Sequence, residues 1–258
     1  MMSQEQNDLI TRVGPGTAAG EVLRRYWQPA ALSEELVGAR PVVPVRLLGE
    51  DLVLFRDNEG ELGLISRQCP HRGADMAFGR CEDNGLRCPF HGWHFDRNGQ
   101  CVEQPGEPEG SQMYKNIKAK SYPVVEKNGM VFAYMGPGLP PAMPNFDCFA
   151  APDTHVFAFK GLWECNWLQA MEVGIDPVHA SFLHRFLQDE DPSEGYGKQF
   201  RDKAADTDIP MTQVLREYPR PEINVEETDY GLRIITLRHL DNGRTHVRIT
   251  NQVFPEAI

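Results

Sequence analysis

The 258-residue sequence contains no long apolar run and comparatively little positive charge. A bilayer-spanning helix needs about 20 consecutive apolar residues, and no segment approaches that length. The first segment, MMSQEQNDLITR, lacks the apolar stretch of a secretory signal, so we expect a cytoplasmic protein. The 26 basic and 37 acidic residues give a net charge of −11, which opposes binding to nucleic acids and to anionic membranes.

Cysteine is scarce as well, because the chain has only six, and this excludes a disulfide-dense miniprotein. Without an export signal the thiols are expected to be reduced, so a paired Cys pattern is interpreted first as a metal site. Glycine (23) and proline (20) are abundant, which favours turns and short strands over a helical bundle. Four cysteines stand alone and are predicted to be small buried residues: Cys81, Cys101, Cys148 and Cys165.

The order of strand, helix and turn signals predicts an α+β protein with three segments. Residues 1–35 are predicted to be a helical lead-in, in which Thr17 caps a short helix that ends before Pro29. Residues 36–145 carry short strand signals separated by Asn-Gly and related turns, which predicts an antiparallel β domain. A stretch rich in Pro and Gly then marks a linker, so a further domain is predicted for residues 146–258.

The last segment mixes helix and strand signals. We predict a strand in HVFAFKGL (155–162), a helical passage after it, and a polar loop at 188–220. Three strands follow, and Asp241-Asn242-Gly243 joins the last two as a hairpin. Because the final strand has no successor, we expect the chain to be a fragment of a longer polypeptide.

The first chemical motif is C-x-H followed by C-x-x-H, formed by Cys69, His71, Cys88 and His91. Two short loops therefore each offer one thiolate and one imidazole. Structural zinc sites accept such donors, but they generally separate a ligand pair by two to four residues. A Rieske [2Fe-2S] centre uses two Cys on one iron and two His on the other. Pro and Gly beside each pair suit tight loops around a cluster, so we favour the cluster over zinc.

The second motif is D-x-x-H-x-x-x-x-H, formed by Asp176, His179 and His184. Two His and a carboxylate from elsewhere make the facial triad of non-haem Fe(II) oxygenases, while two satisfied core histidines are the simpler alternative. On an ideal helix His179 and His184 lie about 140° apart, so both reach one metal only if the helix is broken. We predict a helix irregularity between them.

Together these motifs resemble the α (oxygenase) subunits of Rieske non-haem iron oxygenases. The segments RYWQPA, CPHRGA, CPFHGW, CNWLQAMEVGIDPVHASFLH and ETDYGLRI are most similar to the phthalate dioxygenase branch. The resemblance implies an antiparallel β Rieske domain followed by a truncated helix-grip, START-like α+β catalytic domain. It also implies a [2Fe-2S] cluster on the four residues of the first motif: Cys69, His71, Cys88 and His91.

The resemblance implies further that His179 and His184 bind a mononuclear Fe(II). Asp176 matches the bridging carboxylate, which accepts a hydrogen bond from His91 of a neighbouring subunit in a ring that is usually a homotrimer. Electrons would come from NADH through a separate reductase. The reaction implied is O₂-dependent hydroxylation or oxidative demethylation of an aromatic substrate.

The resemblance also suggests residues that support the metal ligands and residues that bind the substrate. Asn166 and Glu172 are candidates to support the metal ligands from behind. A carboxylated substrate would need an arginine, and the candidates are Arg185, Arg201, Arg244 and Arg248. The family's third iron ligand is a downstream Asp or Glu, which we expect beyond Ile258. Four carboxylates of this chain do not stand in its expected context: Asp202, Asp206, Asp208 and Asp241.

The sequence is also compatible with two functions from other classes. A Rieske-type electron-transfer protein without oxygenase chemistry explains the first motif and leaves the second as a coincidence. A zinc-stabilised binding module explains the Cys and His residues but predicts a colourless protein, whereas a Rieske centre absorbs visible light.

Overall fold

A computed structural model describes residues 2–183 and 211–255, in two compact units that divide the chain at 162/163. No described helix is long and apolar enough to cross a membrane. The helices are α1 Gln4–Thr11, α2 Ala18–Leu23, α3 Trp167–Ile175, α4 Ala180–Leu183 and α5 Met211–Glu217. The strands of the first unit are β1 Gln28–Leu32, β2 Val42–Leu47, β3 Glu50–Arg56, β4 Leu62–Ser66, β5 Arg80–Glu82, β6 Gly85–Arg87, β7 His94–Asp96, β8 Cys101–Glu103, β9 Ser121–Tyr122, β10 Val124–Lys127 and β11 Met130–Ala133. The second unit contains β12 Glu222–Thr228, β13 Gly231–His239 and β14 Thr245–Val253.

The first unit is built from three antiparallel sheets, in the orders β1-β11-β10, β2-β3-β4-β9 and β5-β6-β7-β8. The second unit has one antiparallel sheet, β12-β13-β14. Helices α1 and α2 precede the sheets of the first unit, and α3, α4 and α5 precede the sheet of the second unit. The predicted α+β class with antiparallel sheets is confirmed.

Strand β3 is the centre of the first unit because it is buried on both faces. Val53 and Phe55 point into one core, while Leu52 and Leu54 point into another. A strand covered on both sides is a continuous apolar run instead of an alternating pattern, which explains the sequence DLVLF. Sheet β2-β3-β4-β9 therefore contributes to both cores of the first unit, and one of these cores contains the side chains of Cys69 and Cys88.

The lead-in is less helical than predicted. Thr17 caps α2 by accepting a hydrogen bond from the Gly20 N–H (3.3 Å), as expected. Residues 28–32, however, form strand β1, which pairs with β11. This strand was not predicted because Pro29 cannot donate a ladder hydrogen bond. Pro29 is accommodated because β1 is an edge strand with a register shift between Pro29 and Ala31.

Three further predictions are corrected by the structure. Residues 156–162 form no strand, and Phe157 and Phe159 are exposed although their alternation imitated a half-buried strand. Part of the predicted polar loop is helix α5, while residues 184–210 lie outside the described range. Cys148 and Cys165 are exposed rather than buried; of the other two isolated cysteines, Cys101 is buried and Cys81 is half-buried.

The three predicted C-terminal strands are present as β12, β13 and β14. The hairpin at Asp241-Asn242-Gly243 pairs Gly231 with Val253 at one end and His239 with Thr245 at the other. Gly243 has a φ of +78°, a backbone conformation that glycine adopts without steric cost. The Asn-Gly signal in the sequence therefore located this turn correctly.

A buried carboxylate ties the lead-in to the β domain. Glu50 accepts hydrogen bonds from Arg24 (2.5 Å), Lys120 (2.5 Å) and Tyr122 (2.7 Å), and its side chain is 13% exposed. Burial alone would raise the pKa of Glu50. The hydrogen bonds from Lys120, Tyr122 and Arg24 outweigh burial and lower the pKa below its ordinary value of 4.5.

We predict that Glu50→Gln lowers the free energy of unfolding at neutral pH by about 3 kcal/mol, because it leaves the buried Arg24 cation unpaired. The stabilisation is complete above pH 4.5 and is lost as pH falls through the lowered pKa of the folded state, so the difference between wild type and variant shrinks in acid. Urea unfolding at a series of pH values measures this. The control is Glu126→Gln, which removes an exposed pair with Arg56 and should cost about 1 kcal/mol or less. Equal losses in the two variants would contradict the prediction.

Candidate metal centres

The first candidate loop, CPHRGA, is closed by two backbone hydrogen bonds. The Cys69 N–H donates to the Ala74 carbonyl (2.9 Å), and the Gly73 N–H donates to the Cys69 carbonyl (2.9 Å). Gly73 has a φ of +69°, which lets the chain turn back sharply after His71. The loop thus projects Cys69 and His71 from one tight turn.

The second loop, CPFHGW, repeats this arrangement. The Cys88 N–H donates to the Trp93 carbonyl (2.8 Å), the Gly92 N–H donates to the Cys88 carbonyl (3.2 Å), and Gly92 has a φ of +72°. The two loops have the same hydrogen bonds at the same sequence separations, although their histidines differ by one position. The spacings C-x-H and C-x-x-H therefore occur on equivalent backbones.

The two loops bring their cysteines together and their histidines together. Cys69 and Cys88 are buried in one core, while the rings of His71 and His91 lie 4.7 Å apart and nearer the surface. The indole of Trp93 stacks flat on His71, with ring centroids 4.4 Å apart and planes 6° apart. The site has a thiol side and an imidazole side.

This pairing determines which metal group the residues fit. In residues 2–183 and 211–255, no three His, Cys, Asp or Glu side chains gather closely enough for a single ion. A two-iron cluster with thiolates on one iron and imidazoles on the other needs the like-with-like pairing that is observed. Burial, with a further contribution from Cys88, raises the pKa of the Cys69 thiol to about 12, although the His71 N–H counteracts it. Metal binding must therefore release a proton here.

Each loop is braced by a buried or half-buried arginine that the sequence did not single out. Arg67 forms a two-pronged pair with Asp75 (2.9 and 2.6 Å) across the base of the first loop. Its hydrogen bonds lower the pKa of Asp75. Arg87 donates to the Gly92 carbonyl (2.9 Å) in the second loop and pairs with Glu103 (2.7 Å). The signal available in the sequence was an Arg two positions before Cys69 and one position before Cys88.

The second candidate centre lies where a helix is interrupted. Helix α3 ends before Asp176, whose carboxylate accepts from the Val178 N–H (2.7 Å) and the His179 N–H (3.2 Å). The His179 Nδ1 lies 2.8 Å from the Asp176 carbonyl oxygen. Because a carbonyl only accepts, Nδ1 carries the proton, and this tautomer puts the ring's lone pair on Nε2. A metal-binding imidazole is typically oriented in this way.

The interruption spans residues 176–179 and so includes His179, and α4 follows directly from Ala180. His184 lies outside the described residues. The predicted irregularity between His179 and His184 therefore stays a prediction.

The other residues singled out from the sequence have varied positions. Asn166 caps α3 by accepting from the Leu168 N–H (3.1 Å). The Glu172 side chain is exposed, and its backbone carbonyl accepts from the Asp176 N–H (3.1 Å). Arg244 is exposed in the β13–β14 hairpin.

Arg248 lies on β14 opposite Thr236 of β13, and so on the sheet face that also carries Arg238. Asp241 is exposed in the hairpin turn. Five predicted candidates lie outside the described residues: Arg185, Arg201, Asp202, Asp206 and Asp208.

Comparison with known families gives two matches, one for each of the two candidate metal motifs. Residues 26–123 match the Rieske [2Fe-2S] domain, and residues 133–258 match a family described as LigXa C-terminal domain like. The first match contains Cys69, His71, Cys88 and His91, and the second contains Asp176 and the residues after it. This chain belongs to the Rieske oxygenase family.

Curated relatives of this Rieske oxygenase chain carry several activities in their names. It is 46% identical over 188 residues to the 5,5'-dehydrodivanillate O-demethylase oxygenase subunit of Sphingobium sp. (strain NBRC 103272 / SYK-6), covering 71% of this chain and 44% of that protein. It is 38% identical over 267 residues to the phthalate 4,5-dioxygenase oxygenase subunit of Pseudomonas putida, covering 98% and 56%. The chain spans about half the length of these relatives. The prediction of the family and of its phthalate dioxygenase branch is confirmed.

Solved structures agree with the fold of this Rieske oxygenase chain. Dicamba monooxygenase bound to 3,6-dichlorosalicylic acid is 26% identical, with a TM-score of 0.60 over 83% of this chain and 56% of that one. The terminal oxygenase of carbazole 1,9a-dioxygenase from Nocardioides aromaticivorans IC177 has a TM-score of 0.59 at 24% identity, over 91% of this chain and 59% of that one. The fold is that of these terminal oxygenases.

The two loop glycines provide a matched test of the site's construction. Alanine at either position strains a left-handed backbone by roughly 1–2 kcal/mol. At Gly73 the new Cβ meets nothing within 4 Å, whereas at Gly92 it would lie 2.9 Å from Pro105 Cγ, and such overpacking adds about 1–3 kcal/mol. We predict that Gly92→Ala loses more of the visible absorption per chain, and more thermal stability, than Gly73→Ala. A larger loss in Gly73→Ala would contradict the geometry described.

Proposed function

We propose that this chain is part of the oxygenase component of a multicomponent Rieske oxygenase. It would catalyse O₂-dependent hydroxylation or oxidative demethylation of an aromatic, carboxylated substrate. The observation that carries the proposal is the pairing of Cys with Cys and His with His in two equivalent loops, upstream of a second motif in which Asp176 orients His179. The names of two relatives, a phthalate 4,5-dioxygenase and a 5,5'-dehydrodivanillate O-demethylase, support the reaction class.

We propose the following roles for residues of the first unit. Cys69 and Cys88 would hold one iron of a [2Fe-2S] cluster, and His71 and His91 would hold the other. The buried thiols exclude water from their side of the site, while the exposed His91 can reach a partner. Trp93 holds the ring plane of His71 by stacking, and the closing hydrogen bonds of both loops fix where the donors point.

In the second unit, we propose that His179 and His184 bind a mononuclear Fe(II). When bound, the cluster relays single electrons and the mononuclear iron activates O₂. The carbonyl of Asp176 holds the Nδ1 proton of His179, so that Nε2 is the donor atom. The carboxylate of Asp176 would accept a hydrogen bond from the partner subunit's His91 and so join the two centres. A carboxylate ligand would complete the iron site.

The proposed domain plan has a lead-in over 1–35, a Rieske domain over 36–145 and the first part of a catalytic domain over 146–258. The extents of the two family matches support it. We further propose a homotrimer, a separate reductase that takes electrons from NADH, and a cytoplasmic location, where NADH is available. The description of the relatives as oxygenase subunits supports a separate electron donor.

Among the substrate candidates, Arg248 is better placed than Arg244. Both arginines are exposed, but Arg248 shares a sheet face with Arg238, which hydrogen-bonds to the segment carrying His179, whereas Arg244 lies in the hairpin at the end of the sheet. A guanidinium on that face can bind a carboxylate through two parallel hydrogen bonds. We propose that Arg248 contributes to recognition of the substrate's carboxylate. Asn166 and Glu172 would support α3 through its cap and its backbone.

The alternative is a Rieske-type electron-transfer protein without its own oxygenase chemistry. The iron content distinguishes the two functions, since an electron carrier would hold the two irons of the cluster and an oxygenase would hold a third. The observed Nδ1 contact of His179 with Asp176 favours the oxygenase, because a coincidental histidine has no need of a fixed tautomer.

We predict that the holoprotein contains three irons per chain and that His179→Ala retains the cluster's two irons together with the visible absorption. Cys88→Ser is expected to lose the visible absorption. The matched control is His239→Ala, because His239 lies on β13 and its side chain is 64% exposed. This variant should retain all three irons. Iron analysis and visible spectra of purified holoprotein measure this. Two irons in wild type and in His179→Ala alike would support the electron carrier, and a colourless zinc protein would overturn both functions.

A further inference from the structure

The most unusual side chain of the second unit is a buried arginine. Arg238 lies on the central strand β13, and it is 2% exposed. Its Nη2 donates to the Pro177 carbonyl (2.9 Å) and to Ser181 Oγ (3.1 Å), while its Nε donates to the Tyr218 carbonyl (3.1 Å). All three acceptors are neutral, so among the residues that the structure describes the buried cation is held by hydrogen bonds and not by a carboxylate.

The acceptors explain why an arginine is needed at this position. Helix α3 ends at Ile175 and α4 begins at Ala180. Between them the Val178 and His179 carbonyls accept from N–H groups of α4, whereas the Pro177 carbonyl has no donor from a helix backbone in the part of the chain that the structure describes. A buried carbonyl without a hydrogen bond costs about 1–3 kcal/mol. Arg238 reaches across from the sheet and satisfies the Pro177 carbonyl, which water or a cap would otherwise serve.

The contacts of Arg238 bracket His179. Pro177 stands two positions before this histidine and Ser181 two positions after it, and Ser181 is fully buried. Between them, the Asp176 carboxylate accepts from the His179 N–H and the Asp176 carbonyl receives the Nδ1 proton. The guanidinium therefore holds both sides of the segment whose internal hydrogen bonds orient the imidazole.

The third contact extends this arrangement to α5. The Tyr218 carbonyl follows directly after α5, which ends at Glu217. A single planar guanidinium thus fixes the sheet, the interrupted helix and the end of α5 relative to one another. Lysine could not replace it, because an ammonium lacks the rigid fork that reaches separated acceptors at once.

We propose that Arg238 is a positioning residue for the mononuclear iron ligand His179: it holds the Asp176–Ser181 segment against β13 so that the imidazole is preorganised for metal. This inference rests on the proposed role of His179. It assigns Arg238 no contact with the metal or the substrate; its effect passes through the Pro177 carbonyl and the Ser181 hydroxyl. Substitution of residues that orient metal ligands typically costs 10–100-fold in metal affinity.

The test is a comparison of Arg238→Lys with Arg233→Lys in the holoprotein. Arg233 is the matched control, because it lies on the same strand, faces the other side of the sheet and has a 42% exposed side chain. After the mononuclear iron is removed with a chelator, Fe(II) is titrated back, and its affinity is measured with a competing chelator. Cluster absorption and the thermal unfolding midpoint are recorded for each variant.

Arg238→Lys is expected to lower Fe(II) affinity by about tenfold or more with cluster absorption unchanged, whereas Arg233→Lys leaves both unchanged. Ser181→Ala, which removes one of the three acceptors, should give a smaller loss of affinity and also serves if Arg238→Lys fails to fold. Iron affinity that stays at the wild-type value in Arg238→Lys, or that falls only in proportion to cluster content, overturns the proposal. His179→Ala separates the two claims: if this variant also binds the third, mononuclear iron with wild-type affinity, the proposed role of His179 fails.

Discussion

The hydrogen bonds that close the two Cys loops are the constraint on which the first unit depends. The Cys69 N–H to Ala74 carbonyl bond and the Cys88 N–H to Trp93 carbonyl bond give both loops one backbone form. That form directs thiols into the core and imidazoles toward the surface. The surrounding structure serves to hold it: β3 is buried on both faces and presents Val53 and Phe55 to the core that contains both Cys side chains.

The second unit achieves orientation by different means. There the determining feature is a gap between two helices, in which Asp176 caps the backbone on one side and fixes the His179 tautomer on the other. Within this gap the Pro177 carbonyl needs a partner, and Arg238 donates a hydrogen bond to it from the sheet. The proposed cluster site is thus organised by loop backbone and the proposed iron site by side chains, so the two centres should respond differently to substitution.

Much of this could be predicted from the sequence, for identifiable reasons. The donor residues were evident because C-x-H with C-x-x-H is a dense and specific pattern, and the β13–β14 hairpin because Asn242-Gly243 has a strong local preference. Strand β1 escaped prediction because Pro29 is a poor strand residue and only pairing with β11 makes it one. The strand predicted at residues 155–162 is wrong for the opposite reason: Phe157 and Phe159 alternate with other residues as in a strand, but they are exposed and pack against no sheet in the described residues. Arg238 could not be identified at all, because its partners are distant in sequence and two are backbone carbonyls.

The proposal that paired thiols and paired imidazoles hold one two-iron cluster can be tested by pulsed EPR on the reduced holoprotein, produced with ¹⁵N-labelled histidine. We expect a paramagnetic cluster that is coupled to two imidazole nitrogens. One coupling should be lost in His71→Ala or His91→Ala variants that retain the cluster, and both should be kept in His239→Ala. A paramagnetic cluster without nitrogen coupling, or a protein without any iron signal, would contradict it.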